Sequence, residues 1–120
     1  MKQRIRVTLL GALLLPFAFA LAQQATEIFI PIGESPGVSD GESILGTIQR
    51  VDYESRSMDV RGRDGTLTVQ MDDRTRYYID LTRAGQRNRY GSLADCDLGH
   101  YVEIRLRDDG KVDWIKIRPD

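Results

Sequence analysis

Residues Gly99–Arg118, GHYVEIRLRDDGKVDWIKIR, constrain the fold more than any other stretch of the chain. Val102, Ile104 and Leu106 alternate with Tyr101, Glu103, Arg105 and Arg107, the two-residue period of a strand with one buried face. Asp108-Asp109-Gly110 supplies the turn, because glycine readily takes the positive φ of a short hairpin loop. Val112, Trp114, Ile115 and Ile117 then form the return strand. A two-residue loop at Asp109-Gly110 sets Ile104 against Ile115, Val102 against Ile117 and Glu103 against Lys116, leaving Trp114 outside, opposite Arg105. A three-residue loop sets Leu106 against Val112, Ile104 against Trp114 and Arg105 against Asp113, and needs a bulge at Trp114-Ile115. Burying an indole is worth about 4–6 kcal/mol, from roughly 150–250 Å² at ~25 cal/mol/Å², which favours the second register. The charged outer positions of this hairpin read as ordinary solvated strand faces.

The N-terminus has the pattern of an export signal. Lys2, Arg4 and Arg6 precede an apolar run over Val7–Ala20, and Ala20-Leu21-Ala22 offers a small-x-small cleavage site. The run falls short of the ~20 apolar residues of a membrane span. Residues 1–22 are therefore expected to be a signal peptide cleaved near Ala22, and the mature protein is expected in the periplasm or secreted, with no span remaining. Three of the 17 basic residues and none of the 18 acidic ones lie in this leader, so the mature chain carries 14 against 18, a net charge of −4. Such a balance argues against general nucleic-acid binding, which needs clustered Lys and Arg. Cys96 is the chain's one cysteine. No internal disulfide is possible, and a partly buried thiol is expected.

Residues 23–42 read as an extended arm. Ile28, Phe29, Ile30 and Ile32 form a short apolar run around Pro31, and Gly33, Pro36, Gly37 and Gly41 with several serines follow. The run either packs across the following domain or pairs with the edge strand of a partner, which would make the chain a structural or assembly protein. Residues 43–120 form the domain. Ile44, Gly46 and Ile48 share one strand face before Val51 breaks the phase, and Gly46 implies a bend or close backbone approach. Met58 and Val60 continue on a second strand, and Leu67, Val69 and Met71 on a third. Tyr77 and Ile79 suit a short strand, and Ser92 with Asp95 caps a helical turn over Leu93–Leu98 that stops at Gly99. The order is three strands, a long connection with one short helical turn, and two strands. It predicts an all-β, five- to six-stranded Greek-key barrel of the OB type.

Gly46-x-Ile48, the Gly65–Met71 strand, Thr75, and Ser92-Leu93 through Leu98-Gly99-x-x-Val102-Glu103-Ile104 recur in the order of a known group. Over about Ser43–Arg118 the chain resembles small secreted bacterial OB-like domains, including the periplasmic bacterial OB-fold proteins. The resemblance implies a fold and brings no catalytic residues with it.

The chemistry-bearing stretch is Arg74–Tyr90. Arg74, Arg76, Arg83, Arg87 and Arg89 stand with Tyr77, Tyr78 and Tyr90 against a single acid, Asp80. Guanidinium groups bind carboxylate, sulfate or phosphate as bidentate donors, and tyrosine rings offer stacking faces. This segregation predicts a non-catalytic binding module for an envelope protein or an anionic envelope ligand. Cys96 and His100 form a rival, a periplasmic metal-handling pair, although closed zinc sites take four ligands. The remaining Asp pairs fall in turns, the single His would have to serve any triad, and no glycine-rich phosphate loop precedes a helix. Neither an enzyme nor a cofactor is expected.

Overall fold

Alternating apolar residues build nearly every element of the computed structural model, which describes residues 27–35 and 43–119. The strands are β1 (Ser43–Asp52), β2 (Ser57–Gly62), β3 (Gly65–Gln70), β4 (Arg76–Ile79), β5 (Arg89–Tyr90), β6 (Tyr101–Leu106) and β7 (Val112–Arg118). They form one seven-stranded sheet in the order β3-β2-β1-β6-β7-β4-β5. The meander β1-β2-β3 and the hairpin β6-β7 are antiparallel, whereas β4 runs parallel to β7. Met71–Thr75 links β3 to β4, so the sheet must coil on itself to bring β4 to β7. This is OB-like Greek-key topology, with β4 and β5 added within the connection. Thr75 pins the junction, its hydroxyl donating to the Val112 carbonyl at 2.8 Å and accepting the Asp72 N–H at 2.9 Å. Residues 1–22, expected to be a signal peptide, lie outside the described residues.

Inside the coil, Ile48, Met58, Val60, Val69, Met71, Ile79, Cys96, Val102, Ile104, Val112, Ile115 and Ile117 form the core. The phase break at Val51 is a bulge. Ile48 pairs with Val60 and Arg50 with Asp59, so Gln49 is the extra residue and Val51 returns inward opposite Met58. Gly46 is required by proximity: a Cβ there would stand 2.4 Å from the Arg61 carbonyl oxygen and 2.8 Å from Val60 Cγ1. Two short 3₁₀ turns complete the connection, Thr82–Ala84 and Leu93–Asp95. The second is shorter than the turn expected over Leu93–Leu98, but its cap is as expected, with the Asp95 carboxylate accepting the Ser92 N–H at 2.8 Å.

The closing hairpin uses parts of both registers. Leu106 faces Val112 as in the three-residue loop, and Gly110 takes φ +86° in the turn. Asp113 is then the bulged residue, and beyond it Arg105 faces Trp114, Ile104 faces Ile115 and Glu103 faces Lys116. The expectation that Trp114 packs inside against Ile104 is thus corrected. The bulge comes one residue earlier and turns the indole outward, yet the ring is only 3 % exposed. A second layer covers it. Glu27–Ser35 lies across the outer faces of β4, β6 and β7, and Ile28 joins Tyr78 and Trp114 in a separate apolar cluster. Glu103 and Lys116, expected to be solvated, are 0 % and 1 % exposed beneath this segment.

Candidate functional site

The connection from β4 to β5 is held by two buried polar side chains. Asp80 accepts the Thr82 N–H at 3.0 Å through one oxygen and the Ile32 N–H at 2.9 Å through the other. Asn88 accepts the Leu81 N–H at 2.7 Å and donates to the Ile28 carbonyl at 2.9 Å. Burial works to raise the Asp80 carboxyl, but the hydrogen bonds from Ile32 and Thr82, with Arg118 nearby, leave it below the ordinary carboxylate value. Gly85 closes the intervening turn at φ +68°, its N–H donating to the Thr82 carbonyl at 3.1 Å. The loop is therefore positioned by its base, and its long side chains project outward.

The eight residues expected to share one site do not stay together. Arg74 and Arg76 belong to the junction beside β7, where Arg74 lies 3.6 Å from Asp109 and Arg76 2.9 Å from Asp113. Tyr77 packs on the barrel core, and burial pushes its hydroxyl up to about 12. Tyr78 faces the other way, into the cluster with Ile28 and Trp114. Arg83, Arg87, Arg89 and Tyr90 are all exposed on the loop and strand at the sheet edge, where Arg89, opposite Ile79, points to the other face from Tyr90, opposite Tyr78. Arg89 lies 3.8 Å from Asp95. Tyr90 is 67 % exposed and rests against Tyr78, with ring centroids 5.8 Å apart.

One residue of this edge comes from the arm. Phe29 is 56 % exposed, and the Arg87 guanidinium carbon stands 6.0 Å from its ring centroid. Its neighbour Ile28 is fixed by Asn88 from above and by Tyr78 and Trp114 from below. The edge thus presents the exposed rings of Phe29 and Tyr90, the first beneath the Arg87 guanidinium and the second on the buried Tyr78. Sequence reading had Phe29 in the apolar run of the arm and had no means of bringing residue 29 beside residue 87.

Other surfaces carry less chemistry. At the tip of the closing hairpin, Arg107 pairs with Asp72 and, at 3.2 Å, with Asp109. Arg107 holds the Asp72 carboxyl well below the usual carboxylate range. An open depression of about 950 Å³ lies where β1 passes the β2–β3 hairpin, rimmed by Arg61, Arg63, Leu67 and Tyr101. Cys96 is fully buried in the core, and burial, followed by the charges of Asp95 and Asp97, raises its thiol to about 12. His100 Nδ1 is buried without a hydrogen-bond partner among the described residues. Among the described residues, no three His, Cys, Asp or Glu side chains gather to hold a metal ion, and no helix is long and apolar enough to cross a membrane.

No protein-family model and no curated protein matches the chain. Among solved structures, it is similar to silver(I)-bound CusF, at 14 % identity and a TM-score of 0.44, over 62 % of this chain and 93 % of that one. It is also similar to the Cu(II) form of a tryptophan-to-alanine variant of CusF from Escherichia coli, at 13 % identity and a TM-score of 0.44, over 62 % of this chain and 88 % of that one. A likeness at this level carries no inference about ligand or activity.

Proposed function

We propose that this protein is an exported, non-catalytic binding module that takes an anionic envelope ligand or an acidic protein surface at the β4–β5 edge. The observation that carries this reading is the edge patch itself. Phe29 and Tyr90 are each more than half exposed, Tyr90 rests on the buried Tyr78, Arg87 stands over Phe29, and Arg83 is exposed on the same loop. Exposed rings on a rigid base offer stacking area with little ordering cost on binding, and guanidinium groups add bidentate recognition of carboxylate, sulfate or phosphate.

Isothermal titration with an acidic peptide, a sulfated oligosaccharide and a phosphorylated oligosaccharide, each at low and high salt, tests the proposal. Affinity is expected to fall with salt, and Arg87→Ala and Tyr90→Ala are each expected to weaken binding about tenfold, a loss near 1.4 kcal/mol. Arg63→Ala, at the separate depression, is expected to leave it unchanged. Binding that is indifferent to salt and to both edge substitutions would overturn this reading. The rival, metal handling through Cys96 and His100, is decided by native mass spectrometry with zinc, Cu(II) and silver(I). One ion bound per chain, lost in Cys96→Ser and His100→Ala, would replace the edge reading.

A further inference from the structure

The segment Glu27–Ser35 sits on the barrel as a bound peptide would. Buried side chains read its backbone: Asn88 Nδ2 donates to the Ile28 carbonyl at 2.9 Å, Asp80 Oδ2 accepts the Ile32 N–H at 2.9 Å, and Glu103 Oε1 accepts the Gly33 N–H at 3.2 Å. Its side chains fill matching positions. Ile28 inserts against Tyr78 and Trp114, the Glu27 carboxylate receives the Lys116 ammonium at 2.7 Å, and Ser35 Oγ accepts from the same ammonium at 2.7 Å. The hydrogen-bond partners are separated from the segment by at least 48 residues of sequence. None of these contacts depends on the covalent link between segment and barrel.

We propose that this face is a peptide-docking surface that also accepts residues 27–35 of a second copy of the chain, so that two copies exchange arms. The chemistry of the occupant is specified by the face. It must present a carboxylate, an isoleucine on the next residue, and two N–H groups at the fourth and fifth positions after that isoleucine. Every copy carries such a segment, and an unrelated partner would have to reproduce it. The join to β1 runs through residues 36–42, whose sequence includes Pro36, Gly37 and Gly41. Exchange preserves each contact, so the balance is set by concentration. A short tether gives its own arm an effective concentration in the millimolar range, and exchange prevails when docking within one copy is blocked.

Trp114 is the chain's one tryptophan and lies within the docking face, so its emission reports whether the face is covered. Ile28→Asp disables the arm and leaves the face intact. Trp114→Ala disables the face, leaves the arm intact and is spectroscopically silent. The Ile28→Asp protein alone is expected to emit at longer wavelength than wild type. Adding the Trp114→Ala protein is expected to move that emission back, saturating at one to one, with a dimer seen by size exclusion with light scattering. No recovery up to about 1 mM partner, with both proteins retaining the wild-type far-UV spectrum, would overturn the proposal. Should Ile28→Asp fail to fold, Glu27→Gln combined with Ile28→Ala serves as the milder arm variant. Recovery by a synthetic 27–35 peptide, but not by the Trp114→Ala protein, would also overturn it, since a second copy's arm could then not reach the face.

Discussion

Replacing Lys116 by Met asks how much the ion network beneath the N-terminal segment contributes to stability. The ammonium is 1 % exposed, donates to Glu27 Oε1 and Ser35 Oγ at 2.7 Å each, and stands 4.8 Å from the Trp114 ring centroid. Methionine keeps an apolar stem of similar size against that ring, so the substitution removes charge more than packing. Glu27 can turn outward to water, because its side chain is 18 % exposed. Glu103 cannot. It faces Lys116 across β6 and β7, is fully buried, and its Oε2 has no hydrogen-bond partner among the described residues. Removing one member of a buried ionic group costs about 3–5 kcal/mol, chiefly through the group left behind. For a domain of this size that is a fall in Tm on the order of 12 °C or more, at about 4 °C or more per kcal/mol. Adding Glu103→Leu removes the stranded carboxyl and is expected to restore most of the loss, since apolar replacement of buried ionic groups is often neutral or stabilising. Urea unfolding followed by far-UV circular dichroism and Trp114 emission measures both variants. A Lys116→Met protein within about 0.5 kcal/mol of wild type, the range of an ordinary surface substitution, would refute the reasoning.

Gly46→Ala is expected to destabilise by roughly 1–3 kcal/mol or more in the same assay, because the clash is with the Arg61 carbonyl, a backbone atom that cannot rotate away. The Asp80 carboxyl is held below its ordinary 3.8 in the folded state, so its stabilisation is present above that value and lost as pH falls through the lower folded one. An acid titration of Trp114 emission is expected to show the segment loosening in that range, with reduced amplitude in Asp80→Asn. Cys96 moves the opposite way, from 9.0 to about 12, so its contribution is complete below pH 9 and is lost as pH rises through the folded value. Ellman's reagent at pH 8 is expected to label Cys96 at the rate of unfolding, and labelling faster than unfolding would contradict its burial.

The barrel was legible because its strands keep one wet face or one tight contact that sequence records. The alternation of Val102, Ile104 and Leu106, the glycine at position 46 and the lost phase at Val51 each have a direct counterpart in the structure. The hairpin register was misread because the weighing of Trp114 assumed a single core. An indole outside the barrel looked too costly, and nothing local announced a covering layer. The same assumption made Glu103 and Lys116 look solvated, although the pairing that brings them together was one of the two registers available. The parallel β4–β7 contact joins residues 76–79 to residues 114–117, and no turn chemistry encodes such a pairing. In the candidate site, the arginines and tyrosines were visible as a cluster along the chain. Their division was not, because Arg74 and Arg76 are drawn to Asp109 and Asp113 on another hairpin, while Phe29 arrives from the arm.

The covering segment also changes the mutational character of β7. Val112, Ile115 and Ile117 face the barrel core, while Trp114 and Lys116 face the outer cluster, and only Asp113 and Arg118 are partly open to solvent. In a saturation scan this strand would lack the every-other-residue rhythm of tolerance that an antiparallel barrel strand normally shows. Intolerance would run almost unbroken along it, as in the central strand of a sheet sandwiched between two layers. The strand β3 is exposed at all but Val69, and beyond Gly65, held at φ +124°, its exposed positions would accept nearly anything polar. Sequence drift in this protein should therefore accumulate on one side of the sheet and be nearly frozen along a strand whose composition alone gives no hint of it.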